Sequence, residues 1–315
     1  MIAIPKVSVI IATYNSAPYL PDAIASVLNQ TFQDFEVILI DDGSTDETGH
    51  VVEPFLSRVR LITQTNKGPA AARNLGIWLA NGDYLVFLDA DDLLLPDKLK
   101  VQVEYLDQYP QINVVYSNGY YSSVATNGLR NKKLFSDIGY LRKDLGSPPQ
   151  NIKILAKQNA FPLHAAMVRK EAVLGVGGFD EGLPALEDWD LWYRIAQTGS
   201  FAYLDLPLVE YRQIPSGRSS NRSSYKMAFN QLTEKIEAFD GFQSLLDRNK
   251  SSFYFSWGIW NLEFEEAQLA RNNFKKALKY NPYNILALGA LILSRLIGKH
   301  TIVFYYWKKK FMSAK

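Results

Sequence analysis

The sequence predicts an α/β protein: a mostly parallel sheet flanked by helices, followed by a C-terminal helical extension. Three observations carry this expectation. In the first third of the chain, short β-branched runs alternate with segments of helical spacing, the order of a parallel sheet covered on both faces. Three of those runs end in polar clusters, at Thr13-Tyr14-Asn15, at Asp41-Asp42 and at Asp89, Asp91 and Asp92. In a parallel sheet such ends share one edge, so the clusters converge on one crevice. Beyond residue 218 the alternation stops and helical periodicity alone remains.

Taken in order, residues 7–12 (V-S-V-I-I-A) read as a first strand that closes at Thr13-Tyr14-Asn15. Asn15 or Ser16 is placed to cap a helix over 21–29, in which Ala23, Ile24, Val27 and Leu28 have helical spacing. Residues 35–40 give a second strand ending at Asp41-Asp42-Gly43-Ser44; a helix around 46–56 and a strand over 59–63 follow. Asn66-Lys67-Gly68-Pro69 opens an Ala-rich helix to Leu79, and Gly82-Asp83 turns into a strand over 84–88. That strand stops at three carboxylates in four positions, which must be solvated, hydrogen-bonded or neutralised by a cation. Such a cluster suits either a divalent ion shared with substrate phosphates or a polar turn capping the helix that begins near Pro96. A helix continues through 101–109, and 112–117 reads as another strand. Residues 119–157, rich in Ser, Asn, Gly and Lys, read as a solvated loop, with a mobile cover over a ligand as the alternative. His164, ahead of an apparent strand, reads as structural. In 186–197, Leu191 and Ile195 share one helix face, while Glu187, Asp190 and Arg194 are presented elsewhere.

The composition narrows the function classes. The 315 residues are 47% hydrophobic and 21% charged, with a formal net charge of +2, so no nucleic-acid field is advertised. There are no cysteines, which excludes disulfides and thiolate metal sites and fits a reducing compartment. The N-terminal apolar run is short and broken by Pro5 and Lys6, unlike a signal sequence. No run of about 18 uncharged apolar residues occurs, so no membrane-spanning helix is expected.

Lys67 and Arg73 lie beside the predicted crevice near a helix N-terminus, where a diphosphate is welcome. At this point the residues carry a resemblance. V-S-V-I-I-A-T-Y-N, I-D-D-G-S-T-D, N-K-G-P-A-A-A-R-N-L-G and F-L-D-A-D-D, in that order, are similar to inverting family 2 glycosyltransferases of the GT-A fold, of the bacterial polysaccharide type. Gly177-Gly178-Phe179-Asp180-Glu181 and Leu186-Glu187-Asp188-Trp189-Asp190-Leu191-Trp192 continue the likeness, which spans roughly residues 5 to 215.

The resemblance implies a GT-A nucleotide-diphospho-sugar transferase domain over 1–218 and a helical region over 219–315. It implies transfer of a hexosyl or N-acetylhexosaminyl group from a nucleotide-diphosphate sugar, UDP first, to a saccharide or lipid-linked acceptor hydroxyl. Tyr14 would pack on the base with Thr13 and Asn15 beside it, and Asp42 would accept a hydrogen bond from the base. Lys67 and Arg73 would lie near the nucleotide. In the D-x-D motif Asp89-Ala90-Asp91, Asp91 would hold Mn2+ or Mg2+ and Asp89 the ribose side. Of the pair Glu187-Asp188, the second acid would be the catalytic base. Trp189 and Trp192 would offer a flat face to the acceptor sugar, with one of them in the core. One departure stands out: many relatives place a histidine soon after the Tyr-Arg pair, and Tyr211-Arg212 is followed by none.

In the C-terminal region, 219–224 reads as a linker, and 264–288 resembles one tetratricopeptide-type unit, with Ala267, Phe274, Ala277 and Pro282 at the matching spacing. The tail over 304–310 sets aromatics beside Lys308, Lys309 and Lys310, which suits an anionic membrane surface or a solvated helix end. The expected location is cytoplasmic and peripheral on the inner face of the plasma membrane. Two other functions compete: a nucleotidyltransferase, which the Glu187-Asp188 motif argues against, and a non-catalytic nucleotide-sugar-binding scaffold or sensor, which the missing histidine leaves open.

Overall fold

The computed structural model describes residues 4–124, 130–214, 222–239, 250–263 and 266–296. The chain divides into two units, Met1–Asn221 and Arg222–Lys315. The first unit opens with β1 (Val7–Thr13), α1 (Leu20–Leu28), β2 (Phe35–Asp41), α2 (Thr48–Val52), β3 (Arg60–Thr63), α3 (Pro69–Leu79) and β4 (Tyr84–Asp89). It continues with β5 (Leu93–Leu94), α4 (Lys98–Gln108), β6 (Ile112–Val124), β7 (Arg130–Leu134) and α5 (Gln150–Leu155). Its last elements are β8 (Ala166–Arg169), α6 (Lys170–Gly175), α7 (Glu187–Ile195) and β9 (Ser200–Arg212).

Among the described residues nine strands form one sheet in the order β3-β2-β1-β4-β8-β6-β9-β5, with β7 paired to β6. The pairs among β3, β2, β1 and β4 are parallel. β8 runs antiparallel between β4 and β6, and β9 returns parallel to β6. Central parallel strands are covered on both faces and therefore read as continuous apolar runs. Val7, Val9, Ile10 and Ile11 of β1 are accordingly all fully buried. The register sets Thr13 opposite Asp41 on one side of β1 and Ala12 opposite Asp89 on the other. The three polar strand ends therefore stand side by side.

Two expectations change here. The helix after β1 starts at Leu20 with Tyr19 at its cap and no side-chain capping bond. The side-chain oxygen of Asn15 instead accepts from the backbone N–H groups of Thr45 (2.8 Å) and Asp46 (3.3 Å), tying the loop after β2 to the end of β1. Nor is 119–157 simply a solvated loop: β6 runs on to Val124, β7 pairs with it, and α5 follows. Register shifts between β6 and β9 around Asn118 break the alternation that marks a strand in sequence.

Gly119 lies at that irregularity. A Cβ there would meet Phe135 Cε2 and Val209 Cγ2 at 2.5 Å and the Val209 carbonyl at 2.8 Å. Gly119→Ala is expected to destabilise the protein by about 1–3 kcal/mol, the usual cost of overpacking. Thermal melting checks this, and an unchanged midpoint would show that the neighbouring strands yield freely.

The second unit contains α8 (Arg222–Ala238), α9 (Lys250–Glu263), α10 (Ala267–Tyr280) and α11 (Ile285–Leu296). Ala270, Phe274 and Ala277 form the buried stripe of α10, and Ile259, Ala290 and Leu291 close a core around Phe274. Ala270, rather than Ala267, occupies the buried position. The basic aromatic tail over 304–310 lies outside the described residues. No helix among the described residues is long and apolar enough to cross a membrane.

Candidate active site

At the end of β1, Thr13 is buried, and its hydroxyl has no hydrogen-bond partner among the described residues. Tyr14 is 48% exposed. Asn15 takes a left-handed conformation (φ 48°), which asparagine tolerates better than most residues. Its side-chain oxygen holds the neighbouring loop, as described above. Asp42 accepts from Gln64 Nε2 (2.7 Å) and from the backbone N–H groups of Lys67 (2.9 Å) and Gly68 (2.8 Å). Its carboxylate therefore fixes the loop that launches α3, a turn-building role beyond the contact with a base that the motif implies. The side chain of Lys67 is exposed on that loop.

The centre of the site is Arg73. It projects from the second turn of α3, is 4% exposed, and bridges two carboxylates. Nη2 donates to Asp89 Oδ1 at 2.5 Å and Nη1 donates to Glu187 Oε1 at 2.7 Å. Burial alone would favour the neutral form; the charges of Asp89 and Glu187 outweigh it and raise the guanidinium's pKa further. The Gly177-Gly178-Phe179 segment is fastened to the same helix. Asn74 Nδ2 donates to the Phe179 carbonyl (2.9 Å), and the Phe179 N–H donates to Asn74 Oδ1 (2.8 Å). The Phe179 ring then lies 5.5 Å from the Arg73 guanidinium.

α7 begins at Glu187, directly after Leu186 in a left-handed conformation (φ 60°). Within α7 only Asp188 and Arg194 escape full burial. Asp188 accepts from Asn159 Nδ2 (2.8 Å) and from the Trp189 N–H (2.7 Å). Burial, then the adjacent Glu187 charge, pushes its pKa up to about 6, while Asn159, the Trp189 N–H and Arg73 pull it back. Asp190 faces inward and pairs with Arg194 at 2.6 Å.

The expectation of a flat acceptor platform is not met. Trp189 and Trp192 are 1% and 0% exposed, so both belong to the core and neither offers a face to a sugar. The Trp189 indole donates to the Leu155 carbonyl, and Trp192 packs against Phe161 at 5.2 Å between ring centroids.

The three acids of the D-x-D turn also part company. Asp89 and Asp91 are partly exposed, Ala90 is buried between them, and Asp92 is fully buried. Asp92 accepts from the Arg212 N–H (2.8 Å) and lies 3.1 Å from His164 Nδ1. Burial, then Asp91 and Asp89, pushes the Asp92 carboxyl well above the usual carboxylate range, and burial pushes His164 down to about 4. The two face each other in the interior, and His164 stacks on Tyr211. The Arg212 guanidinium donates to the Asp91 carbonyl, to Asp22 Oδ2 (2.9 Å) and to the Tyr19 carbonyl (3.3 Å), clasping the turn to the entry of α1. Arg212 and Asn159 have roles here that no sequence motif assigns. The Tyr211-Arg212 pair signals the first; nothing local signals the second.

Among the described residues no three His, Cys, Asp or Glu side chains come together as a metal cage. Asp91 and Asp89 offer carboxylate oxygens at the strand end, a donor set that could hold a hard divalent ion.

The model of the family described as Glycosyl transferase family 2 matches residues 8–173. A Rickettsia felis protein named as an uncharacterized glycosyltransferase is 33% identical over 217 residues, covering 66% of this chain and 33% of that protein. A Haemophilus influenzae protein with the same description is 37% identical over 175 residues, covering 54% of this chain and 64% of its own. The chain thus spans from a third to just under two thirds of these two relatives' length. Among solved structures, S. aureus TarS 1-349 in complex with UDP-GlcNAc gives a TM-score of 0.61 at 20% identity, over 93% of this chain and 88% of that one. The mannosyltransferase PcManGT from Pyrobaculum calidifontis, in complex with GDP-Man and Mn2+, gives 0.59 at 19% identity, over 94% of this chain and 88% of that one. These likenesses show the fold, a GT-A-type sheet with flanking helices. With the family model covering more than half of its residues, the chain belongs to glycosyl transferase family 2.

Proposed function

We propose that the chain transfers a sugar from a nucleotide-diphosphate sugar, UDP-linked first, to an acceptor hydroxyl with inversion, in the synthesis of cell-surface polysaccharide or glycolipid. The observation that carries the reading is the buried Arg73 bridge, which ties the D-x-D turn to the first turn of the acidic helix. Donor-side and acceptor-side carboxylates are thereby held by one cation, with Asp188 next to the anchored Glu187.

An acceptor alcohol needs a base at neutral pH, and a base is most effective when its pKa lies near the working pH. Asp188, pushed up to about 6, meets that condition and is still largely ionised at pH 7. Glu187 is already committed to Arg73 and would abandon that ion pair by taking a proton. Asn159 and the Trp189 N–H occupy one position on each carboxylate oxygen of Asp188, so the remaining lone pairs are open to the acceptor proton. On the donor side Asp91, with Asp89 beside it, would hold a divalent ion that compensates the charge of the departing diphosphate. Arg212 keeps the Asp91 backbone in place, and Tyr14 leaves an exposed ring for a base. The nucleotide sugars named with TarS and PcManGT, and the Mn2+ named with the latter, support a donor and ion of this kind.

Calorimetry of UDP, with Mn2+ and then with a chelator, tests the donor side, and release of free sugar from UDP-sugars tests the chemistry. Binding is expected to weaken by about tenfold or more without the ion. Equal affinity in both conditions would remove the metal from the proposal. Nucleotide binding with no hydrolysis or transfer would favour the non-catalytic scaffold.

A further inference from the structure

α7 opens with three acids in its first turn, Glu187, Asp188 and Asp190, and one of them is partnered differently from the others. Glu187 pairs with Arg73 at 2.7 Å and Asp190 with Arg194 at 2.6 Å. Asp188 receives a neutral partner instead: Asn159 Nδ2 donates to its Oδ2 at 2.8 Å. Among the described residues no cation makes an ion pair with Asp188, although Lys153 and Lys157 belong to the segment that carries Asn159.

The amide is held in one orientation. Its Oδ1 accepts from the Ala160 N–H at 3.0 Å, so Nδ2 is the atom that faces Asp188. The chain on either side is fixed independently of that bond. The Leu155 carbonyl accepts from the Trp189 indole, and the Ala160 carbonyl accepts from the Arg142 N–H at 2.8 Å. The Phe161 ring packs on Tyr116 (4.3 Å between centroids) and on Trp192 (5.2 Å). The segment is therefore fastened to α7 without Asn159, whose bond to Asp188 is a separate feature.

The type of donor matters. An arginine in that place would hold the carboxylate in an ion pair and weaken it as a base. An amide carries no charge, and in this orientation it turns only N–H groups toward Asp188. It binds the ionised carboxylate, disfavours the acid form and leaves basicity that a hydroxyl proton can use. Burial and the Glu187 charge favour the protonated acid, while Asn159, the Trp189 N–H and Arg73 pull the other way.

We infer that Asn159 is a positioning residue for the base, holding Asp188 as an ionised carboxylate with a lone pair open to the acceptor hydroxyl. The inference rests on the sugar-transfer reading of Asp188 and adds the residue on which that base depends.

The test uses the full chain and two readouts. In the first, aspartate labelled with carbon-13 at the side-chain carboxyl is titrated by NMR with no donor or acceptor present. The resonance missing from Asp188→Asn assigns Asp188. Asn159→Ala is expected to move its midpoint upward by about one to two pH units, the equivalent of one hydrogen bond to a charged group. Asn159→Asp keeps the shape of the side chain but sets a second carboxyl against the first, so the pair should share a proton and the midpoint should again rise. In the second readout, sugar release from UDP-sugars, the rising limb of kcat/KM should move with the midpoint. Activity below the limb then falls about tenfold for each unit. Thermal melting shows that each variant is folded, and Asn159→Asp serves if Asn159→Ala is not. A folded variant whose midpoint and limb stay at the parent values would overturn the inference and leave Asn159 a structural tie alone. Absent sugar release by the parent, with a midpoint that still responds to Asn159, would instead sink the sugar-transfer reading itself, while the hold of Asn159 on Asp188 would stand.

Discussion

Arg73→Met is expected to lower stability by about 3–5 kcal/mol and to abolish sugar transfer, because it strands a buried carboxylate. The two partners of Arg73 are not equivalent. The Asp89 side chain is 37% exposed and can turn to water, whereas Glu187 is 6% exposed and cannot. In the variant Glu187 should therefore bind a proton, with a pKa above that of an unfolded glutamate. A group raised in the folded state contributes stability that is present at low pH and lost as pH rises through its folded value. The variant's deficit should accordingly shrink on acidification from pH 7 to pH 5. Arg73→Met/Glu187→Gln should recover much of the lost stability, since a neutral amide tolerates the site, yet regain no turnover. Urea unfolding of the four proteins of this cycle measures the coupling. Wild-type stability in the single variant would show that the bridge does not join the strand end to the acidic helix.

The parts of this site that were legible in the sequence are those that depend on local pattern. β1, β2 and β4 are apolar runs because both faces are covered, and their polar ends fall into line because parallel register leaves little freedom. What could not be read depends on partners far along the chain. Arg73 and Glu187 are 114 residues apart, and nothing near either residue announces the other. The same reason explains the tryptophans. With Glu187, Asp188, Asp190 and Arg194 in nine residues, α7 looks like a surface helix that could present Trp189 and Trp192 outward. Its charges are instead cancelled inside the protein, Glu187 by Arg73 and Asp190 by Arg194, which lets nearly the whole circumference be buried. Asp92 is a third case: adjacent acids look alike in sequence, but Asp92 is fully buried against His164 and the Arg212 backbone.

Asp188→Asn is expected to reduce kcat by about 10²–10⁴-fold, the usual loss when general-base help is removed. That corresponds to roughly 3–5 kcal/mol in the barrier. Nucleotide affinity should stay at the parent value, because Asp188 is not part of the donor-side turn. The parent's kcat/KM should rise with pH through about 6 as Asp188 loses its proton, and the variant's residual rate should lack that limb. Stability gives an independent reading of the same group. Its folded pKa lies above the unfolded value of 3.8, so its contribution is present below pH 3.8 and lost as pH rises through about 6. Asp188→Asn should therefore be no less stable than the parent at pH 7, so that lost turnover cannot be ascribed to lost fold. Glu187→Gln differs in kind: it takes away one of the two anions on Arg73, so stability and turnover should fall together. Near-normal turnover in Asp188→Asn, alongside a folded but inactive Glu187→Gln, would move the base to Glu187. Normal turnover in both would leave the acceptor proton with no acceptor on α7, and the mechanism would have to be sought elsewhere in the sheet edge.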